Sequence, residues 1–378
     1  MNIIIFIVVL VVLIIVHEFG HFIVAKKSGI RVDEFGIGFP PKIFGKKYGE
    51  TEYSINAIPF GGFVKIFGEN PEDPSVSSKD GSRALVNKSR LTQAAVMFAG
   101  VFFNILLAWV LFSATLMAGT PAISGSTAED NAGSLSKYIS NERLLITHVL
   151  PNSPADIVGI LSGDEILSLS VVGISDEIKI NVNTPDEVIL FIKNNNREVL
   201  NIELQRGGEI KTVLVSPEEG LIENSPGYFA IGIGMGMIGD LKLPIHLALF
   251  EGGKHTIEML HVITVGIVTF LFDAVLLNAD LSTVAGPVGI VGLVGDASAL
   301  GFIAILNFVG LISINLAVIN LIPFPALDGG RILFLVIEAV KGSPIKPHIA
   351  NVVNMVGFAL LIFLMIVITL SDITRLVG

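Results

Sequence analysis

The chain has no cysteine among its 378 residues. Disulfides, thiolate metal sites and cysteine nucleophiles are therefore excluded, and the redox compartment is left open. Charge is also scarce. Asp, Glu, Lys and Arg make up 15% of the residues against 52% hydrophobic, where a soluble chain carries about 25% charge. With a mean hydropathy of +0.75, that shortage predicts a membrane protein. The net charge of −10 gives no footprint for a nucleic acid. No internal repeat is visible, which argues against a transporter built from duplicated halves.

What is present is a set of apolar runs of about 20 residues, the length that crosses a hydrocarbon core of about 30 Å. The first, Ile3 to Ala25, ends at Lys26-Lys27. Neither Met1 nor Asn2 is charged and no small-residue cleavage site follows, so a retained helix over 1–25 is expected rather than a signal peptide. Residues 26–92 form a polar loop with eleven Lys/Arg. Within it, Tyr53–Ile58 and Gly62–Phe67 read as short strands parted by a Pro/Gly turn, and 70–90 reads as mobile. A second span is expected at 93–118.

Residues 119–243 change character, with seventeen Asp/Glu against eight Lys/Arg. After a linker at 119–143, β-rich runs at Leu144–Val149, Glu165–Leu169, Glu198–Gln205 and Ile210–Val215 alternate with a helix-like stretch, Pro185–Asn194. They predict one small domain over 144–217. Residues 218–299 read as linker with interfacial or re-entrant helices, 300–328 and 348–372 as spans, and 329–347 as a cytoplasmic loop. The Lys/Arg-rich 26–92 loop faces the cytoplasm by the positive-inside rule, which puts the acidic domain and both termini outside.

Near the inner end of the first span stands His17-Glu18-Phe19-Gly20-His21. In this H-E-x-x-H pattern the two histidines share a helix face and can reach one zinc ion, with Glu18 placed as general base on its water. Ionisable groups inside a membrane helix are costly and need a functional reason. A third ligand is required to leave one position for water. Glu34 and Glu50 lie downstream in the loop and read equally well as surface charges. Asp328, in Asn320-Leu-Ile-Pro-Phe-Pro-Ala-Leu-Asp328-Gly-Gly330, is the better candidate, though a helix-end charge facing the cytoplasm would look the same. His17 precedes Lys26 by a rise of about 13 Å, and Asp328 lies close before Arg331, so both sit toward the inner side. That match also constrains Ile257–Leu277. A single crossing there, with no return in 278–299, would strand Asp328 at the external face. The segment therefore reads as interfacial, re-entrant or half of a hairpin, with Glu258, His261 and Asp273 as a polar stripe.

These paired motifs, with a β-rich domain between them, resemble the site-2 proteases, and among them the bacterial regulator-of-sigma-E protease group. The resemblance covers nearly the whole chain. It implies a polytopic α-helical membrane protein of about four transmembrane helices, with a membrane-associated cytoplasmic β-loop and one external PDZ-like α/β domain. The PDZ likeness rests on Pro151-Asn-Ser-Pro-Ala155, Gly159 and Leu161-Ser-Gly-Asp-Glu-Ile166. It further implies one Zn2+ held by His17, His21 and Asp328, Glu18 as base, and Asn320 holding the substrate backbone or oxyanion. Gly100 and Asn104 match a G-x-x-x-N pattern, with Val101 where the family often has proline, and Gly286-Pro-Val-Gly289 matches a G-P-x-G segment. The implied activity is regulated intramembrane proteolysis through a zinc-activated water in a bacterial inner membrane. The implied partners are the lipid bilayer and single-pass substrates, of the anti-sigma-factor or remnant-signal-peptide type, whose external segments the PDZ-like domain contacts. A helix-sequestering inactive relative is disfavoured by the intact Glu18.

Overall fold

The computed structural model describes residues 2–69, 76, 80–124, 135–172, 180–221, 227–276, 278 and 284–377. Most of the 70–79 stretch of the segment expected to be mobile, the 125–134 part of the expected linker, and Leu277 lie outside them. The chain divides into two compact units, one of residues 1–115 with 245–378 and one of residues 116–244.

In chain order the helices are α1 (Asn2–Lys27), α2 (Arg90–Ala118), α3 (Pro154–Ile157), α4 (Pro185–Asn194), α5 (Ile245–Val275), α6 (Pro287–Ala299), α7 (Phe302–Leu321), α8 (Asp328–Lys341) and α9 (Pro347–Val377). The strands are β1 (Val32–Tyr48), β2 (Thr51–Ile66), β3 (Thr120–Ser124), β4 (Ile139–Val149), β5 (Glu165–Val171), β6 (Ile180–Asn181), β7 (Leu200–Arg206), β8 (Glu209–Val215), β9 (Glu218–Glu219), β10 (Phe229–Ala230) and β11 (Ile233–Leu241).

Among the described residues five helices are long and apolar enough to cross a membrane, namely α1, α2, α5, α7 and α9. α1 and α7 pack through Val9, Leu13 and Val309, with Ile5 and Ile305 alongside. The two helices therefore start at the same end. α5 packs on α2 and α7 through Ala108, Phe112, Ile314 and Val318. For the segment expected as interfacial, re-entrant or half of a hairpin, the structure gives the helical form without choosing among the three. α5 is one continuous helix of 31 residues that begins twelve residues before Ile257. Its Gly252-Gly253 pair allows a close approach: a Cβ on Gly252 would collide with Ser113, and one on Gly253 would lie 3.2 Å from Trp109 Nε1. The Trp109 indole donates to the Leu249 carbonyl at 2.8 Å. Glu258 is met by Lys254 one turn earlier.

A departure concerns 329–347, expected as a loop. It contains α8, an amphipathic helix that Arg331 and Lys341 mask in a hydropathy reading. Gly342 at φ 77° ends it, its N–H donating to the Glu338 carbonyl, as a left-handed C-terminal glycine does. In the polar loop, the two short strands of the 53–67 region are arms of the single strand β2. Residues 34–37 of β1 lie between those arms, with Phe35 facing both Val64 and Tyr53. Tyr48 and Thr51 close the hairpin of the other arm.

The second unit is a sheet of order β3-β11-β4-β5-β7-β8, with β6 on β5. Its core gathers Ile146, Ile160, Leu169, Leu200, Ile202 and Leu204 beneath Val188, Phe191 and Ile192 of α4. Thr184 caps α4 by accepting from the Glu187 N–H, with Pro185 at the first helical position, both ordinary helix-start devices. The unit is larger than the expected 144–217. β3 and the start of β4 fall in the expected 119–143 linker, and β9, β10 and β11 fall in the expected 218–299 linker. β11 is rich in glycine, which is depleted in strands, yet it is the strand that joins β3 to β4. A cavity of about 440 Å³ lies between α4 and the 228–233 stretch, lined by Leu150, Ile189, Ile192, Tyr228, Ile231 and Ile233.

Candidate active site

The site begins with two helices brought almost into backbone contact. A Cβ on Gly20 of α1 would lie 2.5 Å from the Ala99 carbonyl oxygen of α2. One on Gly100 would lie 2.5 Å from His21 Nε2 and 2.6 Å from His17 Cε1. The imidazoles thus occupy the space that Gly100 leaves empty, and both histidines are buried.

Their outer nitrogens decide what the inner ones can do. His21 Nδ1 donates to the Val96 carbonyl at 2.7 Å. A carbonyl only accepts, so the proton sits on Nδ1 and Nε2 keeps a lone pair. His17 Nδ1 lies 3.2 Å from the side-chain nitrogen of Asn104, a fully buried residue whose Oδ1 has no partner. Turning that amide by half a turn, an exchange its shape allows, presents Oδ1 to His17 Nδ1 and gives His17 the same tautomer.

Asp328 comes from a distant part of the chain. Pro323 and Pro325 bias the residues before them away from the helical region, and α7 stops at Leu321. The chain then turns and restarts as α8 at Asp328. Gly329 and Gly330 are required at this restart because a Cβ on the first would strike the carbonyls of Leu321 and Ile322, and on the second that of Phe324. Asp328 Oδ2 ends 3.2 Å from His17 Nε2 and 3.3 Å from His21 Nε2, and the two Nε2 atoms are 3.1 Å apart. The carboxylate oxygen is buried without a hydrogen-bond partner.

Two imidazole lone pairs and a carboxylate oxygen facing one another repel unless a cation lies among them. The separations match the edges, about 3.3 Å, of a tetrahedron with zinc–ligand bonds of about 2.0–2.1 Å. Among the described residues this is the one group of His, Asp and Glu side chains arranged to hold a metal.

Other candidates lie elsewhere. Glu50 binds Lys26 at 2.9 Å and Arg83 at 2.7 Å, and Glu34 accepts from Ser54 at 2.5 Å. Glu258, His261 and Asp273 are not in the group. Asn320 is in the last turn of α7 and partly buried. Glu18 lies beside β2: a Cβ on Gly62 would be 3.7 Å from Glu18 Cγ. The Val96 carbonyl carries no signal in the sequence, because every residue has one.

A family model described as Peptidase family M50 matches residues 5–364. A protein of Clostridium perfringens provisionally assigned as a zinc metalloprotease is 37% identical over 96% of this chain and 95% of its own. The zinc metalloprotease RasP of Oceanobacillus iheyensis is 30% identical over 98% of both chains. RasP of Shouchella clausii is 29% identical over 98% of both. The family match takes in the helix that bears the histidines and the loop that delivers Asp328, and the relatives align along almost their whole lengths: the chain belongs to peptidase family M50, the site-2 proteases, and is a zinc metallopeptidase.

Proposed function

We propose that the enzyme performs regulated intramembrane proteolysis, hydrolysing peptide bonds in the transmembrane segments of single-pass proteins. The observation that carries this reading is the convergence of His17, His21 and Asp328 within a unit of span-length apolar helices. In this reading the three side chains hold one zinc ion. Zinc, when bound, supplies Lewis-acid polarisation of the scissile carbonyl and lowers the pKa of a water molecule. Glu18 takes the proton of the attacking water and later passes one to the leaving amine. Asn320 holds the substrate backbone or the developing oxyanion.

A substrate helix has to unwind before its carbonyl can be attacked. The 62–66 arm of β2 pairs with β1 on one side only among the described residues, and it runs past Glu18 at Gly62. An unwound segment added to its other edge would be held extended beside the base. The groove against α4 suits an apolar peptide, which supports contact between a PDZ-like domain and the external segments of substrates. The charge distribution along the chain supports a bacterial inner-membrane location, with that domain external, the site toward the cytoplasm and the bilayer as constant partner. Anti-sigma factors and remnant signal peptides are the substrate types proposed.

The test is cleavage of a tagged single-pass helix by membranes holding the wild type or Glu18→Gln, which keeps shape and ligands but removes the base. Cutting by the wild type alone, with zinc retained in both, is the expected result. Equal cutting by both removes Glu18 from the mechanism.

A further inference from the structure

Asp328 is aimed by a backbone conformation that its own neighbours disfavour. Two residues before it, Ala326 has φ 73°, a left-handed conformation in which its Cβ crowds the following carbonyl. Such a residue persists where the surroundings over-determine it, and outliers of this kind gather at functional sites. Ala326 stands between Pro325 and Leu327, the residue that leads into α8.

The surroundings that hold it come from α9. The Ala326 N–H donates to Asn354 Oδ1 at 3.3 Å. One turn along the same face, Gly357 is buried and leaves room for Pro325: a Cβ there would lie 2.5 Å from Pro325 Cβ and 2.8 Å from its carbonyl oxygen. A hydrogen bond and a missing side chain, three positions apart on one helix, thus meet consecutive residues of the turn. On the far side of Asp328, Arg331 pairs with Glu69.

We infer that Asn354 is a positioning residue for the metal site, one that holds Ala326 in its left-handed turn and thereby keeps Asp328 Oδ2 on the two histidines. This rests on the reading of Asp328 as a zinc ligand. Without the acceptor, Ala326 relaxes toward negative φ, the peptide between Ala326 and Leu327 rotates, and the start of α8 swings Asp328 away from His17 and His21. The role needs only an acceptor at 354 and a small residue at 357.

The test uses the full-length protein in detergent and reads zinc affinity by competition with a chelator, alongside cleavage. Removing a group that orients a metal ligand costs about 10–100-fold in affinity, so Asn354→Ala is expected to bind zinc at least tenfold more weakly and to regain cleavage at high zinc. The deciding variant is Asn354→Ala with Ala326→Gly. Glycine adopts positive φ without crowding, so the pair is expected to recover most of the lost affinity. Ala326→Gly alone is the control: general stabilisation by glycine would tighten zinc equally with and without Asn354, whereas repair of this turn tightens it only where Asn354 is absent. Unchanged zinc affinity in Asn354→Ala overturns the inference, and so does a loss that Ala326→Gly fails to repair. Asp328→Ala tells the two readings apart. If it loses zinc while Asn354→Ala does not, only the positioning role falls. If neither loses zinc, the ligand assignment falls and takes the positioning role with it.

Discussion

Gly100 is the residue against which both imidazoles rest. A methyl group there would stand 2.5 Å from His21 Nε2 and 2.6 Å from His17 Cε1, against an ordinary contact of about 3.5–4.0 Å. The rings have little room to retreat, because α1 is already pressed on α2 at Gly20 and His21 is tied to Val96. Gly100→Ala is therefore expected to displace both rings by about an ångström, a scale of misplacement that can cost 100-fold in rate, and to lose zinc with it. Gly266 of α5 has nothing within 4 Å of its would-be Cβ, so Gly266→Ala should leave zinc content and cleavage as they are. Metal analysis and a cleavage assay on the two variants side by side check the pair, and normal zinc in Gly100→Ala would contradict the packing. Glycine is common in this chain, and only the three-dimensional neighbours tell which ones matter.

Between elements, the clearest clip in the acidic domain is Asp164 with Arg206, which joins the turn before β5 to the end of β7. Asp164 is 1% exposed at its side chain. It accepts from Arg206 Nε and a terminal guanidinium nitrogen, each at 2.6 Å, and from the Leu161 N–H at 2.9 Å. Burial alone would push its carboxyl up, but the guanidinium and the backbone N–H outweigh that and hold it below the usual carboxylate range. A group whose folded pKa is depressed gives its full stabilisation above the unfolded value, about 3.9. That stabilisation drains away as pH falls through the folded value. Hydrogen-exchange protection at β5 and β7 in the whole protein, taken relative to a free amide at the same pH, should thus hold at pH 7 and fall only below about pH 4. Arg206→Ala leaves a buried carboxylate without its partner, at a cost of about 3 kcal/mol, and should speed exchange there even at pH 7. If exchange in the variant matches the wild type at neutral pH, the clip contributes nothing.

For the molecule as a whole, the proposed metal ties α1 to the start of α8. A ligand that binds only the folded state raises its stability by mass action. Stripping zinc with a chelator should accordingly lower the thermal midpoint of the membrane unit, and restoring it should bring the midpoint back. Asp328→Ala should begin near the stripped midpoint and respond little to zinc. A midpoint that ignores zinc in the wild type would mean that the three side chains hold no metal in the folded protein.

The membrane character follows from composition, and the boundaries of α1 and α2 lie within a few residues of the expected spans, because span length is a property of consecutive residues, whereas α7 stops at Leu321, short of the expected 328. The shared face of His17 and His21 is equally local, fixed by 3.6 residues per turn. What hid from that reading was everything non-local. Gly252 and Gly253 of α5 matter because they meet Ser113 and Trp109, partners that lie far away in the chain. α8 is helical although its charges read as a loop, and β11 belongs to the sheet although its glycines weaken the strand signal. The same divide runs through the site. Neighbouring residues alone put two histidines and a glutamate on one turn of a membrane helix, and a Pro- and Gly-broken carboxylate at a comparable depth far along the chain. It took packing between distant segments to bring Asp328 to His17 and His21, to set their outer nitrogens with the Val96 carbonyl and Asn104, and to bend the chain at Ala326. Helix geometry is written in neighbouring residues, whereas contact between distant segments depends on how whole surfaces pack.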